Sequence, residues 1–598
     1  MSHPSDKKAE LSLVGTPKTP TPDKLERPVF AVYEEITYIE GKQYKPGTWY
    51  HGVKQSGPEE KAIPVDHWIC APLHVEAETV NSEDGSIGRL LRFNYRGRRI
   101  EWVMPMEALA GKADDVMKAL MRQGLTIEYH QRRHVAPYLA SHHAPELIIA
   151  TTTKPGWHES GAFVMPSRVI GGENVRYQDS GRSVNLFTCK GSMEAWQTNI
   201  APLCLGNPVL ILSVCCALAG PLLAKLGING GGIHLVGDSS SGKSLAQLLA
   251  ASVWGNPGTF AASWDVSKGG VEIEAASRND TVLILDEIKR ADPKRVQEMA
   301  YAIANGMGKS TMTREREGRA KLTWRVLALS SGERSLSDHA AIGGNGAHAG
   351  AELRMVDVNA GTRTHRAFDD VHGMTGQEFH RVLSDAVTQH FGHLGPMFVE
   401  ALIEQSKELH TAFAQVRNAF ATESSQAGRV ADRFAIMALA GELAIEHNLV
   451  GWPVGTATKA CRQLFNEWLA RMGDGNAEDR QILRGIADFI ALHGDSRFSD
   501  VHAQHANITV RDRAGYYEVE LDKRLYLFNA PALLEAASGF SRERIVRALV
   551  GAEALAKFDQ EAKGTRLMKR YRTPGGGSSR FYVIESDLLE SAGESQCT

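Results

Sequence analysis

The chain has 598 residues, of which 43% are hydrophobic and 23% are charged, and its formal net charge is −3 at pH 7. This balance is that of a folded protein of roughly three or four domains, and it excludes both a disordered chain and a uniformly basic nucleic-acid binder. Any contact with nucleic acid must come from local basic patches. The seven cysteines form no C-x-x-C pair and the first residues contain no signal-peptide core, so we expect a cytoplasmic protein.

The first third of the chain divides into two segments of different composition. Residues 1–28 are polar and rich in Pro, Thr and Lys, which predicts a disordered tail. Residues 29–199 contain short alternating apolar runs separated by Gly, Pro and Asn, together with a strong helical pattern at 112–123. We therefore expect a strand-rich α+β domain at 29–199.

An apolar run at 208–226, PVLILSVCCALAGPLLAKL, approaches the length that spans a bilayer. It contains Ser213, Gly220 and Pro221, and it lies shortly before a glycine-rich motif. We expect a buried helix that packs on a sheet and no membrane contact, with a membrane span as the alternative.

The run GDSSSGKS follows the apolar residues Ile-His-Leu-Val and precedes a helical pattern. It satisfies G-x-x-x-x-G-K-[ST], the Walker A pattern, in which backbone N–H groups bind phosphate at the start of a helix. Lys243 would reach the β- and γ-phosphates and the Ser244 hydroxyl would bind Mg²⁺, so the motif predicts bound ATP or GTP. A glycine-rich turn without a ligand is the alternative. The predicted binding residues are Gly237, Asp238, Ser239, Ser240, Ser241, Gly242, Lys243 and Ser244.

A second motif, Thr-Val-Leu-Ile-Leu-Asp-Glu, predicts a buried strand that ends in Asp286 and Glu287. This is a Walker B element. Asp286 would bind Mg²⁺ through water and Glu287 would polarise the attacking water, which favours hydrolysis of the nucleotide over binding alone. For Glu287, a solvated carboxylate at the end of a strand is the alternative.

A charged β-hairpin is predicted at 309–323, KSTMTREREGRAKLT, with its turn near Glu317 and Gly318. Its cations outnumber its carboxylates, so it is suited to contact a phosphate backbone. A solvated hairpin whose charges pair across the strands is the alternative. The candidate DNA-binding residues are Arg314, Arg316, Arg319 and Lys321.

Two further strands each present a candidate site residue. The strand at 324–329 ends in Ser330 and Ser331, and either hydroxyl could sense the γ-phosphate beside the acidic strand. Arg354 begins an apolar strand. It either pairs with Asp357 or another carboxylate, or is presented to the nucleotide of a neighbouring subunit, and the residues alone leave both interpretations open.

The order of elements predicts two domains in the remaining chain. Strands and helices alternate between about 201 and 448, which is typical of a parallel sheet covered on both faces, so we expect one domain at 200–452. In 453–598, helical patterns at 480–493 and 541–556 precede a glycine-tipped hairpin at 566–583. This order favours a winged-helix-like domain.

Several strings of the sequence together resemble the family catalogued as domain of unknown function 927: GWH, GGIHLVGDSSSGKS, SWDVSKGGVE, LILDEI, LTWRVLALSSGE and GAELRMVDV. That family looks like a branch of the AAA+ ATPases related to the minichromosome maintenance helicases. Its members occur on mobile genetic elements, where some act as replication helicases. The resemblance extends from about Val29 to the C-terminus.

The resemblance implies roles for particular residues. The hairpin at 309–323 is similar to the pre-sensor 1 hairpin, which touches DNA in the central channel of a ring, and Ser331 falls near sensor 1. Arg354 matches the arginine finger, and Arg429 matches sensor 2, with Arg433 as the second candidate. The chain carries a serine where those helicases usually carry a sensor asparagine, and it lacks their four-cysteine zinc ribbon.

The predicted fold is therefore α/β, with an AAA+ P-loop NTPase core between the strand-rich and winged-helix-like domains. We expect a hexameric ring that hydrolyses ATP with Mg²⁺, translocates on single-stranded or forked DNA, and serves replication of a mobile element, with a replication partner at the N-terminal domain. An ATP-gated DNA-binding switch or loader without unwinding activity is the alternative. A small-molecule kinase is disfavoured, since such folds lack an Asp-Glu pair followed by a sensor strand and a finger.

Overall fold

The computed structural model describes most of the chain, with gaps. The described residues are 24–54, 62–110, 114–141, 147–179, 185–309, 321–343, 349–404, 408–422, 425–472, 477–503, 510–520, 523–561, 564–574 and 576–587. The chain forms two compact units, of which the first comprises 1–153 and 173–183 and the second comprises 154–172 and 184–598. The fold is mixed α/β.

The first unit is built mainly from strands. Along Leu73–Asn81 the side chains alternate between buried and less buried positions, which is typical of a strand with one face on a core. The unit contains a five-stranded sheet in the order Val175–Tyr177, Ile148–Thr152, Leu73–Asn81, Ile87–Tyr95 and Arg98–Pro105. It also contains a three-stranded sheet of Val29–Tyr33, Gly47–Lys54 and Ile63–Cys70, and a hairpin of Thr37–Ile39 and Lys42–Tyr44.

Among the described residues, two α-helices accompany these sheets. The helix expected at 112–123 is found at Asp114–Arg122, and its buried residues Val116 and Leu120 are four positions apart, on one face. The second helix is Val135–Ser141, whose Tyr138 is fully buried.

The second unit is organised around a parallel sheet. Its strands are, in spatial order, Ala262–Ser263, Val282–Asp286, Leu327–Gly332, Gly231–Val236 and Met355–Asn359. All neighbouring pairs are parallel. The strand at 282–286 is buried from Val282 to Leu285 without alternation, because a parallel sheet is covered on both faces.

The apolar run at 208–226 forms a helix, Pro208–Leu226, in the core of the second unit. Gly220 is required there, since a Cβ at this position would lie 2.4 Å from the Thr281 carbonyl oxygen. Within the described part of the chain it is the one helix long and apolar enough to cross a membrane, and 89% of that stretch is buried inside the protein. The expectation of a buried helix is confirmed.

The other helices of this unit cover the sheet or extend beyond it. Before and around the sheet they are Met193–Asn199, Ala201–Cys204, Lys243–Ser252, Pro257–Phe260, Lys268–Ala276, Val296–Asn305, Leu336–Ile342 and Ala349–Glu352. After the last strand of the sheet they are Gly376–Gln389, Leu394–Glu404, Leu409–Asn418, Ser425–Glu446 and Thr456–Met472. A small sheet of Gly156–Trp157, Phe163–Met165 and Arg168–Ile170 also belongs to the second unit.

The last segment of the second unit has its own hydrophobic cluster. Its helices are Ala477–His493, Ala530–Ala536 and Arg542–Gly551. Its main sheet has the order Phe498–Asp500, Gly515–Glu520, Lys523–Phe528, Ser578–Glu585 and Leu555–Lys557. The strand Lys569–Arg572 pairs antiparallel with Ser578–Glu585, and Asp559–Glu561 pairs with Gly564–Arg566.

Candidate functional site

The carboxyl ends of the parallel strands meet at one edge of the sheet in the second unit. Val236 is in register with both Gly332 and Asn359, and Leu285 is in register with Ser330. The residues that follow these positions therefore lie along the same edge. In open parallel sheets this edge is where ligands bind.

The glycine-rich loop connects the strand Gly231–Val236 to the helix Lys243–Ser252 at this edge. Gly242, the residue before the helix, has a φ of +107°. A Cβ at Gly242 would lie 2.6 Å from the Phe368 ring, so both the backbone and the space there require glycine. The motif thus forms a tight turn whose backbone N–H groups lie at the start of a helix.

Lys243 is the first residue of that helix and is 8% exposed. Its Nζ donates hydrogen bonds to the Gly237 carbonyl at 2.7 Å, the Asp238 carbonyl at 2.7 Å and Ser241 Oγ at 3.1 Å. Burial lowers the pKa of Lys243, and nearby carboxylates, Glu333 foremost, oppose this shift. The following residue, Ser244, is exposed.

Ser331 connects the two acidic residues at the end of the neighbouring strand. Its Oγ donates to Asp286 Oδ1 at 2.8 Å and accepts from the backbone N–H of Glu287 at 3.3 Å. Glu287 has a φ of +64°, a left-handed conformation that costs a non-glycine residue roughly 1–3 kcal/mol. Its Oε1 accepts no hydrogen bond within the described structure and lies 3.5 Å from Lys289 Nζ. A strained, half-buried carboxylate is thus presented at this edge.

Ser330, by contrast, forms hydrogen bonds with buried residues of the core. Its Oγ lies 2.9 Å from His234 Nδ1 and accepts from Trp264 Nε1 at 2.8 Å. Burial lowers the pKa of His234 to about 4, so this imidazole is neutral near pH 7. Since His234 Nε2 lies 2.9 Å from the Arg334 carbonyl, it is the nitrogen that carries the proton. The sequence allowed either serine beside the acidic pair, and the structure brings Ser331 there.

The oxygen donors at this edge suit a hard cation. Ser244 provides a hydroxyl and Asp286 a carboxylate, which are the ligand types of Mg²⁺. Among the described residues, no group of three or more His, Cys, Asp or Glu side chains is placed to bind a metal ion. Mg²⁺ in nucleotide sites usually takes one or two protein ligands, keeps several waters and takes its other ligands from the phosphates.

Arg354 lies at the opposite edge of the sheet. Its carbonyl accepts from Gly232 N, at the start of the strand that leads to the glycine-rich loop. The guanidinium carbon is 4.2 Å from the centre of the Tyr301 ring, and Nη1 donates to the Gly350 carbonyl at 2.9 Å. No carboxylate of the described chain forms an ion pair with Arg354, and the expected alternative of a pair with Asp357 is not observed. Five strand residues, about 17 Å, separate it from the loop of its own subunit.

The two sensor 2 candidates lie on one helix, Ser425–Glu446, in different environments. Arg429 is exposed. Arg433 is buried, donates through Nη1 to the Leu353 carbonyl at 2.9 Å, and contacts Gly231. Burial lowers the pKa of Arg433 to about 10, and repulsion from Arg354 contributes to the same shift. Arg433 therefore packs at the same edge as Arg354.

The hairpin at 309–323 is only partly described. Arg314, Arg316 and Arg319 lie outside the described residues, whereas Lys321 is described and exposed. Met307 pairs antiparallel with Thr323, and Gly308 N donates to the Leu322 carbonyl at 2.9 Å. The two ends of the segment are therefore joined as the ends of a hairpin would be.

Two features of the site have no counterpart in the sequence-based predictions. Gln247 Nε2 donates to both the Leu285 and Leu329 carbonyls, which fixes the helix after the loop to two strands of the sheet. The segment after the strand Met355–Asn359 packs on the glycine-rich loop and brings Arg366 beside it. The sequence shows two arginines in the string RTHR after a predicted strand, but this pattern does not indicate that one of them contacts the loop.

The fold and the site define a mixed α/β protein in which a glycine-rich loop and an acidic strand end meet at the edge of a parallel sheet. Residues 40–322 match the family model described as "Domain of unknown function (DUF927)". The resemblance to that family is thereby confirmed for residues 40–322, and the predicted extension of it to the C-terminus lies outside the matched segment. The matched segment contains the loop and the pair Asp286 and Glu287, and it ends before Ser331 and Arg354.

A solved structure described as "SCCmec type IV Cch - active helicase" is similar to this chain. The similarity covers 91% of this chain and 97% of that chain, with a TM-score of 0.67 and 17% sequence identity. At this identity the likeness shows a shared fold. The comparison with curated proteins finds no match to this chain.

Proposed function

We propose that this protein is an ATPase that binds ATP and Mg²⁺ at the loop 237–244. The observation that supports this most is the convergence of Lys243, Asp286, Glu287 and Ser331 at one edge of the sheet. Lys243 begins the helix that follows the glycine-rich loop, and the backbone amides of the loop lie at the start of that helix. Ser331 contacts both acidic residues. An anion site beside a pair of positioned carboxylates is what nucleotide hydrolysis needs.

Each of these residues has a role that follows from its contacts. Lys243 exchanges its carbonyl partners for phosphate oxygens. Glu287, whose Oε1 accepts no hydrogen bond among the described residues, orients the attacking water. Ser331 acts as a sensor by positioning Asp286 and the backbone of Glu287. The bound Mg²⁺, held by Ser244 and Asp286, would neutralise charge on the phosphates.

The position of Arg354 supports an arrangement in which subunits complete one another's sites. An arginine at the edge opposite the loop can reach the loop of a neighbour when subunits pack head to tail, and such packing forms a ring when the rotation between subunits closes. We propose a hexameric ring in which Arg354 is the finger. Arg429, the exposed candidate, is the proposed sensor 2.

We further propose that the ATPase is a DNA translocase or helicase of the AAA+ type, in the cytoplasm, for replication of a mobile element. Three observations support this: the DUF927 match, the fold shared with a protein described as an active helicase, and the joined ends of the basic hairpin. Lys321, Arg314, Arg316 and Arg319 would contact DNA. We propose that 453–598 is a helical and winged-helix-like domain, and the order of the described helices and strands between 477 and 587 supports this.

The test is the ATPase rate of the full chain with no DNA, with single-stranded DNA and with forked DNA, and Glu287→Gln is the control variant. We expect stimulation by DNA in the wild type and loss of turnover, with ATP still bound, in Glu287→Gln. Hydrolysis that DNA does not change would favour the switch or loader over the motor. A wild-type protein without ATPase activity under all three conditions would overturn the proposal.

A further inference from the structure

The segment after the last strand of the sheet lies directly on the glycine-rich loop. Gly361 approaches so closely that a Cβ on Gly237 would lie 2.8 Å from the Gly361 Cα. Ala367 N donates to the Ser241 carbonyl at 2.9 Å, and the Phe368 ring lies against Gly242. The segment thus contacts the loop at its beginning and at its end.

Polar contacts fix this segment in place. Arg363 forms a two-pronged ion pair with Glu467 of the helix Thr456–Met472, with Nη1 at 2.8 Å from Oε1. Asn207, which is fully buried, accepts from the backbone N–H groups of Asp369 and Asp370 and donates to the Asp370 carbonyl. The segment is therefore held on both sides of Arg366, and its position does not depend on that side chain.

Arg366 differs from Arg363 in its exposure and in its partners. It is exposed, and it forms no ion pair with any described carboxylate. Its Nη1 donates to the Ser240 carbonyl, within the loop, at 3.0 Å. Its φ is +70°, so the chain maintains an arginine in the left-handed conformation, which is strained for a residue with a side chain. The guanidinium of Arg366 thus lies on an anion-binding loop and has no described carboxylate as a partner, and its backbone is strained. This is the arrangement expected of an arginine that binds an anionic ligand.

We propose that Arg366 contacts the phosphates of the nucleotide bound by the loop of its own subunit, and so completes the site in cis. This inference rests on the proposed function, since it requires a nucleotide in the loop. The guanidinium would exchange one neutral carbonyl acceptor for charged phosphate oxygens, which give roughly twice the hydrogen-bond strength and match its planar geometry. Arg366 is a binding residue, distinct from Arg354, which serves a neighbouring subunit.

The test is equilibrium binding of a fluorescent ATP analogue to the full chain, with inorganic tripolyphosphate as a competitor. Arg366→Gly is the main variant, because glycine adopts the left-handed conformation without strain and the fold is expected to be at least as stable. We expect its affinity for the ATP analogue and for tripolyphosphate to fall at least tenfold. Arg366→Lys should bind more tightly than Arg366→Gly and less tightly than the wild type, because lysine retains the positive charge but lacks the planar guanidinium.

Arg381→Ala is the matched control, because Arg381 is an exposed arginine on the helix Gly376–Gln389 and its loss removes the same charge. We expect it to bind within twofold of the wild type. Wild-type affinity in Arg366→Gly, or an unchanged competition by tripolyphosphate, would overturn the inference and leave the ATPase proposal intact. A wild-type protein that binds no ATP, with Lys243→Ala indistinguishable from it, would instead overturn the proposed function.

Discussion

Ser331 Oγ lies 2.8 Å from Asp286 Oδ1 and donates its hydroxyl proton to that carboxylate. The same oxygen accepts the backbone N–H of Glu287. One small side chain therefore sets the orientation of the carboxylate and the backbone that presents the next one. The two serines of the strand end have different surroundings, which makes them a matched pair for mutation.

We predict that Ser331→Ala lowers the rate of ATP hydrolysis about 10- to 100-fold, because the carboxylate that positions Mg²⁺ loses its donor. Affinity for ATP should change less than threefold. Steady-state turnover and equilibrium binding of ATP measure the two quantities separately. Wild-type turnover in this variant would contradict the role given to Ser331.

Ser330→Ala is the control for that experiment. It removes the partner of two buried groups, Trp264 Nε1 and His234 Nδ1. We expect a loss of about 1–3 kcal/mol in the free energy of unfolding for each group left unpaired. Denaturant unfolding measures this loss, and turnover per folded molecule should stay near the wild-type value.

We predict that Arg354→Ala abolishes ATP turnover while ATP still binds. The stack on Tyr301 and the bond to the Gly350 carbonyl are the contacts that the variant loses inside its own subunit. Neither involves the glycine-rich loop, so the loop should bind nucleotide as before. Full ATPase activity in this variant would contradict a finger that acts between subunits.

Mixing two inactive variants tests the same arrangement directly. Arg354→Ala has an intact loop, and Lys243→Ala has an intact finger. When the two are combined, a fraction of the interfaces pairs an intact loop with an intact finger, and we expect ATPase activity to reappear. A mixture as inactive as its components would show that each subunit supplies its own finger.

We predict that Gly242→Ala destabilises the protein and weakens ATP binding. The φ of +107° opposes a side chain there, and so does the Phe368 ring, which would lie 2.6 Å from the added methyl group. We expect a cost of roughly 1–3 kcal/mol, measured by denaturant unfolding. Gly269→Ala is the control, because Gly269 lies in the helix Lys268–Ala276 with nothing near its Cβ position, and alanine there should be neutral or stabilising.

Asp280 provides a prediction about pH. It is 4% exposed, its Oδ2 accepts from Trp157 N and Asn279 Nδ2, and burial raises its pKa from 3.8 to about 6. Between these values the folded protein keeps a proton that the unfolded chain releases. The raised pKa therefore contributes its full stability below pH 4. This contribution decreases as pH rises towards 6, and above that pH it is lost and Asp280 no longer makes the free energy of unfolding depend on pH.

Asp280→Asn has no such titration. The free energy of unfolding of the variant, minus that of the wild type, should increase between pH 4 and pH 6.5 by up to about 3 kcal/mol and then level off. Urea unfolding at a series of pH values measures the difference. The plateau above pH 7 serves as the internal control, and a difference that is the same at every pH would contradict the raised pKa.

The sequence located the elements of the site well, because their signals are local. The apolar run at 208–226 became one helix with those bounds, and the glycine-rich motif became a turn between a strand and a helix. The helix predicted at 541–556 is shorter, Arg542–Gly551, because Leu555–Lys557 forms a strand that pairs with Ser578–Glu585. Pairing with a distant strand outweighs the local helical pattern there.

What the sequence did not reveal depends on contacts between distant residues. Ser330 and Ser331 are adjacent and identical in the sequence, which therefore does not show which one faces the core. The contacts of Ser330 with His234 and Trp264 decide this. Arg363 and Arg366 are three positions apart in one run, yet one pairs with Glu467 and the other reaches Ser240. Residues 154–172 belong to the second unit although 173–183 return to the first. No pattern within the segment indicates this exchange.

The contacts of Lys243 have a thermodynamic consequence. Its ammonium already has three acceptors in the loop, so an incoming phosphate gains the difference between two sets of hydrogen bonds and not the full strength of the new set. The same three bonds brace the turn from within. Removing this side chain would relax the turn as well as delete a ligand contact, so the affinity lost on mutation will overstate the strength of the contact between lysine and phosphate.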